Sequence, residues 1–511
     1  MTGGEKMDFN YMVTGFLFVY FISLLITGIF AYRNMTNLEE FVLAGRRLKS
    51  LPLALTFSST GMSGWLALGF AGYTYETGFQ SLWILVPSAT IGILICFALI
   101  AKKVRRYSER IGALTATELL RKRFYDTGNT LNLAVSLTIC VASIAYISGQ
   151  LLATGKILNL VFGWDFQLSI VAAAVIMITY SVMGGFYAVC WTDFIQGILM
   201  LFGSLITGGL VIVYAGGLGQ LSEKAAAVSH SYPDFIITPF ASMSVIIMGA
   251  SMFIGDGIFN WMGQPTLMSR YMAAQNTRIF GKAAILTITI QLILFTGVFL
   301  AAVYMRTQFP DPALLPYSGD TETVLIQFFF TTSHPVFVGI FIGAIMASIM
   351  STADSLLIMA TSVLVNDVYS YYRPRATQKH LVLVSRILIL VLGLMAIAIS
   401  LNRGSVLWSS WFGWTALGIV GMPLIIGLYW DKATKEGAIA GITSGFFILV
   451  IWNLWNLTEK FNVFQALPAC GMALLATWLV SLFTSNPPPH VMKDVQELKE
   501  HKKFSKEVEV H

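Results

Sequence analysis

The densest set of chemically capable side chains in this sequence is a run of hydroxyls around one acid: Ser348, Ser351, Thr352, Asp354 and Ser355. Spacings of three and four put Ser348, Ser351, Thr352 and Ser355 on one helical face, and Ser351, Asp354 and Ser355 do likewise. Such a face offers several neutral oxygens and one carboxylate. Hard cations take oxygen ligands, by the logic that governs calcium and magnesium, so sodium suits it. A lone serine can instead bond back to its own helix, but so many hydroxyls beside an acid point to a cation. Two further acids, Asp193 and Asp256, also fall in apolar runs. An aspartate at mid-membrane costs about 2.5–3.5 kcal/mol, so it persists only when paired, protonated or bound to a cation. Asp256 has a plainer alternative role as the cap of a half-helix.

Other chemistries lack their residues. No phosphate loop of the form GxxxxGK[ST] is present, and no HExxH or nucleophile elbow. No histidine pairs with a cysteine at zinc spacing. Cys96, Cys140, Cys190 and Cys470 all sit in apolar runs and read as isolated buried thiols. ATP-driven transport and enzymatic catalysis are therefore disfavoured, and no cofactor beyond a coupling ion is implied.

The elements that must hold these groups are membrane helices. The 511 residues are 56% hydrophobic and only 11% charged, against about 25% charged in soluble domains. Apolar runs of about 20 residues span a bilayer core. We number the expected helices α1 (10–31), α2 (51–73), α3 (79–101), α4 (129–157), α5 (163–183), α6 (187–216), α7 (241–270), α8 (278–305), α9 (335–366), α10 (380–400), α11 (404–430), α12 (435–456) and α13 (464–484). Thirteen spans put the termini on opposite sides. With the N-terminus outside, the outer face holds Lys6, Lys156, Lys224, Arg306, Arg403 and Lys460, and Arg386 lies within a helix. The rest of the 32 lysines and arginines, Arg270 among them, fall inside, as the positive-inside rule asks. The chain thus reads as one membrane domain over 1–484 in a cell membrane, with its C-terminus cytoplasmic. A basic inner segment over 102–128 contains a short helix at 115–123, and a polar tail from 485 to 511 is expected to be solvated.

Two spans should not be smooth. α2 carries Ser58-Ser59-Thr60-Gly61-Met62-Ser63-Gly64, and α7 carries Gly255-Asp256-Gly257, Asn260 and Gly263-Gln264-Pro265. Glycine and proline weaken helices. Unwound backbone is tolerated in a membrane where it is buried in protein or lines a cavity, and its carbonyls can hold a cation. Close packing through small residues is the alternative. The two disrupted spans lie five apart, which suits an inverted repeat with a site between its halves. Helices α2–α6 (about 51–216) and α7–α11 (about 241–430) would be those halves, with α1, α12 and α13 added.

Specific stretches carry a resemblance: FVLAGRRL at 41–48, MSGWL at 62–66, GGFYAVCWTD at 184–193, GQP at 263–265, MST at 350–352, and Trp430 followed by Gly437, Ala438 and Gly441. Through them, over roughly 10–485, the chain resembles the sodium:solute symporter family, most closely its sodium/proline symporter branch. The resemblance implies a leucine-transporter-type fold and sodium coupling. It implies a main sodium site from backbone carbonyls of the broken helix and hydroxyls of the hydroxyl-rich one, here Ser59, Met62, Ser348, Ser351 and Thr352. A second, inner site of some members would fall on Asp193, Ser351, Asp354 and Ser355. Substrate contacts of the proline branch would map to Ser63, Gly64, Tyr146, Trp261 and Pro265, and Trp65, Asn260 and Gln264 join them as polar or aromatic neighbours. Two positions depart from that branch: Gly61 stands where it has an aspartate and Gly257 where it has a tryptophan.

The expectation is sodium-coupled symport of a small solute, proline or another amino acid, by alternating access. A sugar or small carboxylate as solute, and proton coupling through Asp193 and Asp354, are the alternatives within transport. A channel or sensor is disfavoured, since no pore repeat or sizeable output domain is present. The expected partners are solute, Na+ and the lipid bilayer. No nucleic acid and no obligate protein partner are implied.

Overall fold

The computed structural model describes residues 43–183, 186–238, 241–402 and 404–499, with 14, 15 and 22. Side chains at 44, 180–183, 186–193 and 378 are not described. The expected α1 and the side chain of Asp193 therefore lie outside the described residues, as do Arg403 and the last part of the tail.

The described chain is helical, with only isolated bridges between extended residues. Among the described residues, ten helices are long and apolar enough to cross a membrane. They correspond to α3, α4 and α6–α13. The protein is thus a multi-pass membrane protein. α2 escapes a count by length because it is cut: Ser50–Gly61 (α2a), then a widened π-helical turn Trp65–Phe70 leading into Ala71–Thr77 (α2b). α5 contributes the shorter apolar stretch Phe166–Thr179.

Burial sorts the helices by role. α9 (Pro335–Ser362) and α11 (Val406–Tyr429) are largely buried, whereas α10 (Gln378–Ser400) is largely exposed. α9 and α11 are the inner helices and α10 faces lipid, with Leu394 and Val382 outward. α4 (Thr130–Phe162) lies against both inner helices, and α2a is enclosed by α6, α8 and α9. α12 (Lys435–Leu454) and α13 (Ala466–Phe483) form a tight pair. Gly437, Gly441 and Gly445 recur every fourth residue of α12. A side chain on any of them would strike the α13 backbone or its Thr477 and Ser481 hydroxyls. This is small-residue packing, the force that holds helices together where lipid removes the hydrophobic drive.

Two inner-side expectations resolve differently. The short basic helix forms as Ala116–Arg123; Thr115 caps it by accepting from the Glu118 amide at 3.0 Å, and Glu118 accepts from the Leu114 amide at 2.8 Å. The tail, by contrast, is not simply solvated. Pro489–Lys499 is a helix that buries Val491, Val495 and Leu498, a set spaced four and three apart. Asp494 and Glu497 pair with Arg110 at the end of α3, and Lys499 and Gln496 reach Asp431 between α11 and α12. Those charges and that apolar stripe hold the segment against the inner loops.

Candidate functional site

The break in α2 is a local consequence of its sequence. Four hydroxyls and two glycines in seven residues supply no apolar side chain except Met62, and Met62 leaves the helical region at φ −119, ψ 80. The freed groups find specific partners. The Gly61 carbonyl accepts from Trp65 Nε1 at 2.8 Å, and the Gly64 amide donates to Gln150 Oε1 of α4 at 3.0 Å. Ser63 Oγ and the Tyr146 hydroxyl lie 3.0 Å apart. The Met62 carbonyl accepts from Ser348 Oγ of α9 at 2.5 Å. The hydroxyl-rich helix is thus seated directly against the opened backbone.

On α9, Ser351 Oγ and Thr352 Oγ1 donate back to the Ser348 carbonyl at 3.1 and 3.2 Å. Of the two, Thr352 faces the space between α2a and α9. A small cavity there is lined by Thr60, Thr266, Thr352 and Ser355, with Tyr146 and Trp414 on its far side. Arg270, counted above with the inner loops, is instead only 1% exposed. Its guanidinium donates to Thr60 Oγ1 at 2.7 Å and Ser355 Oγ at 3.4 Å, and it ties α7 to α2a and α9. A buried cation beside Ser355 is what the inner-loop count concealed. Asp354 is buried on the same helix.

α7 behaves otherwise. Its Gly255-Asp256-Gly257 stretch does not unwind; it lies in a widened π-helical turn, Phe253–Asn260, between Met243–Met252 and Trp261–Gly263. A side chain at Gly255 would collide with the backbone of Leu467 in α13, and one at Gly257 would come within 2.7 Å of the Ser88 carbonyl in α3. These glycines admit close neighbours. The actual break comes later, at Gln264 (φ −68, ψ 113), and Pro265 opens Pro265–Ala273 as its first residue.

Between α2, α4, α7 and α11 lies a small cavity. Trp65 of α2b, Tyr146 of α4, and Trp261 and Asp256 of α7 face it, with Gly61 at the end of α2a. Leu85 and Ala89 of α3 and Ser410, Trp411 and Trp414 of α11 complete the wall. Of the expected substrate contacts, Trp65, Tyr146 and Trp261 are brought together here. Ser63 is held one bond behind Tyr146. Gly64, Asn260, Gln264 and Pro265 are not in the wall: Gln264 Nε2 donates to the Asn260 Oδ1 at 3.0 Å and to the Trp414 carbonyl at 2.7 Å, which locks α7 to α11. The α11 tryptophans were not anticipated; Trp408, Trp411 and Trp414 at every third position were the available signal.

α11 is itself held at both ends by opposite charges. Glu322, in the segment between α8 and α9, accepts from the Val406 and Leu407 amides at 3.0 and 3.1 Å and from Ser405 Oγ at 2.7 Å. Lys156 pairs with it at 2.7 Å. Burial pushes the Glu322 carboxyl up, but the Lys156 charge and these donors outweigh that and leave it below its ordinary value. At the carboxyl end the buried Arg123 donates to the Gly427 carbonyl at 2.7 Å and the Trp430 carbonyl at 2.8 Å. A carboxylate at the amino end and a guanidinium at the carboxyl end both complement the helix dipole.

An opened helix seated on a hydroxyl-bearing one, beside an aromatic cavity in a membrane-buried bundle, defines a secondary-transporter architecture. The chain belongs to the sodium:solute symporter family, whose model matches residues 41–445. It is 29% identical over 509 residues to a sodium/proline symporter of Staphylococcus aureus (strain JH9), with 97% of each chain covered. Among solved structures it shares the fold of a Na+-coupled sialic acid symporter in a substrate-bound outward-open state, at TM-score 0.72 and 18% identity, over 94% of this chain and 99% of that one. A nucleobase-cation-symport-1 family transporter, Mhp1, superposes at TM-score 0.53 and 13% identity, over 89% of this chain and 98% of that one.

Proposed function

We propose that this protein imports a small solute, with proline or another amino acid the first class to test, by sodium-coupled symport through alternating access. The observation that carries this reading is the contact between the Met62 carbonyl and Ser348, which sets opened α2 backbone against the α9 hydroxyls. We assign the main sodium site to Ser59, Met62, Ser348, Ser351 and Thr352, and the solute to the aromatic cavity beside it. Sodium bound first joins α2 to α9 and orders the cavity wall, and each ligand then strengthens the other by the same factor. The thirteen-helix, 5+5 inverted-repeat organisation, with the N-terminus outside and the C-terminus cytoplasmic, belongs to the same reading. It is supported by the positive-inside charge pattern and the two disrupted helices five spans apart.

One sodium falling through a tenfold gradient and 100 mV releases about 3.7 kcal/mol, enough for roughly a 500-fold solute gradient. The inner set Asp193, Ser351, Asp354 and Ser355 is where a second ion would bind. Arg270 already brings a fixed positive charge to Ser355, so one sodium per solute is the expected stoichiometry. Counterflow in proteoliposomes, with sodium replaced by choline at fixed pH, tests the proposal. Uptake should vanish without sodium and should not follow an imposed proton gradient; uptake that persists in choline and follows protons rejects it.

A further inference from the structure

The cavity wall contains one acidic group, Asp256, and no counter-charge stands beside it. Its carboxylate accepts from Asn260 Nδ2 at 3.0 Å, Trp261 Nε1 at 3.2 Å and Ser88 Oγ at 3.2 Å. These three donors are neutral. They fix the direction of the carboxyl and bring no positive charge, and among the described residues no lysine, arginine or histidine forms an ion pair with it. Ionising a buried carboxyl without a counter-charge is costly, and a cation arriving in the cavity would offset that cost.

The rest of the wall suits the same visitor. Trp65, Tyr146, Trp261, Trp411 and Trp414 present ring faces and edges. Trp261 and Trp414 meet edge to face with centroids 5.5 Å apart. Aromatic enclosures of this kind attract ammonium groups by the ring quadrupole, most strongly when water is excluded. The wall is poor in what other solutes need. Trp65 and Trp261 already spend their indole donors, on the Gly61 carbonyl and Asp256, and the Tyr146 hydroxyl is occupied with Ser63. Ser410 Oγ is the remaining hydroxyl, buried and without a hydrogen-bond partner among the described residues. One free hydroxyl does not satisfy the many hydroxyls of a sugar, since each one left unpaired in a dry site costs about 1–3 kcal/mol. A solute whose only charge is negative meets Asp256 as a like charge.

We propose that the transported solute carries a cationic nitrogen, bound by Asp256 within the tryptophan-lined cavity, with Ser410 taking a second polar group of the same molecule. This inference rests on the solute-symport reading and narrows its substrate class to amino compounds. It also accounts for Gly61: the proline branch has an acid there, and here the carboxylate stands across the cavity on α7.

The test uses the full-length protein in proteoliposomes with an inward sodium gradient. Uptake is screened over the free amino acids, choline, glucose and pyruvate. The best amino solute is then compared with its N-acetyl derivative, which keeps the rest of the molecule but replaces the cationic nitrogen by a neutral amide. Uptake confined to cationic-nitrogen solutes, at least tenfold better than the N-acetyl form, is expected. Asp256→Asn should then reduce amino-solute uptake at least tenfold and abolish that discrimination, while melting of the variant still rises with sodium alone. Sodium-driven uptake of glucose, pyruvate or the N-acetyl form equal to that of any amino solute overturns the proposal and leaves symport standing. So does discrimination that survives in Asp256→Asn. If no solute moves with sodium, the symport reading fails and the inference with it. The wild-type comparison needs no variant to fold.

Discussion

α2 and α7 carry similar sequence disruptions and use them differently. α2 gives up helical geometry at Met62 and turns its backbone groups toward Trp65, Gln150 and Ser348. α7 keeps a helical path through Gly255-Asp256-Gly257, and its glycines admit α13 and α3 at distances no side chain would permit. One helix therefore contributes backbone to the site and the other contributes side chains, Asp256 and Trp261. The lesson is that a glycine in a membrane helix has two uses, opening the chain or letting a neighbour approach. Which one applies depends on whether hydroxyls and partners stand ready for the freed carbonyls.

The sharpest way to break this comparison is to add one methyl to each helix. Gly255→Ala should be severe, because the colliding atoms are Leu467 and Ala466 backbone and cannot rotate away. Overpacking of this kind costs about 3 kcal/mol, read as a large drop in melting temperature in detergent. Gly61→Ala meets the outer ring atoms of Trp261 at 3.3 Å, a contact a small ring shift relieves. Its stability should change by less than about 1 kcal/mol. Equal effects at the two positions would remove the distinction.

The next effect belongs to the α2 side alone. Ser348→Ala removes the donor to the Met62 carbonyl and one proposed sodium oxygen. Contacts to a charged partner contribute about 1.5–3 kcal/mol, so the sodium concentration for half-maximal uptake should rise roughly 10- to 100-fold. At saturating sodium the solute affinity should recover. An unchanged sodium curve would detach α9 from coupling.

The α2 opening was legible because its signal is local: four hydroxyls and two glycines within seven residues; on α9, Ser351 and Thr352 bond back to their own helix, as isolated hydroxyls do. The α7 glycines were not legible, since their partners lie on α3 and α13, and no spacing within α7 encodes those approaches. Arg270 passed for a loop charge because it ends a span; only the fold reveals that Thr60 and Ser355 await it inside. Trp411 and Trp414 looked like apolar filler in an apolar span. In the tail, Val491, Val495 and Leu498 were spaced for a buried face, but its polar composition outweighed that spacing.

The smallest effect asks how the α7 side of the site is kept in place. Trp411 and Trp414 reach the cavity from α11, and Glu322 holds the amino end of that helix against Lys156. Glu322→Gln keeps the shape and removes the charge, at a cost of about 1 kcal/mol at neutral pH. The carboxyl is held below its ordinary value of 4.5 in the fold. Its contribution is therefore present in full above the unfolded value and is lost as pH falls through the lower folded one. Wild type and variant should differ in melting temperature at pH 7, and the difference should narrow only below pH 4.5. In uptake, the variant should shift half-saturation for the solute and leave that for sodium nearly fixed, since α11 supplies two wall tryptophans and none of the residues assigned to sodium. A shift in sodium dependence of equal size would mean that the two sides of the site are not separable, and that α2 and α7 share one support.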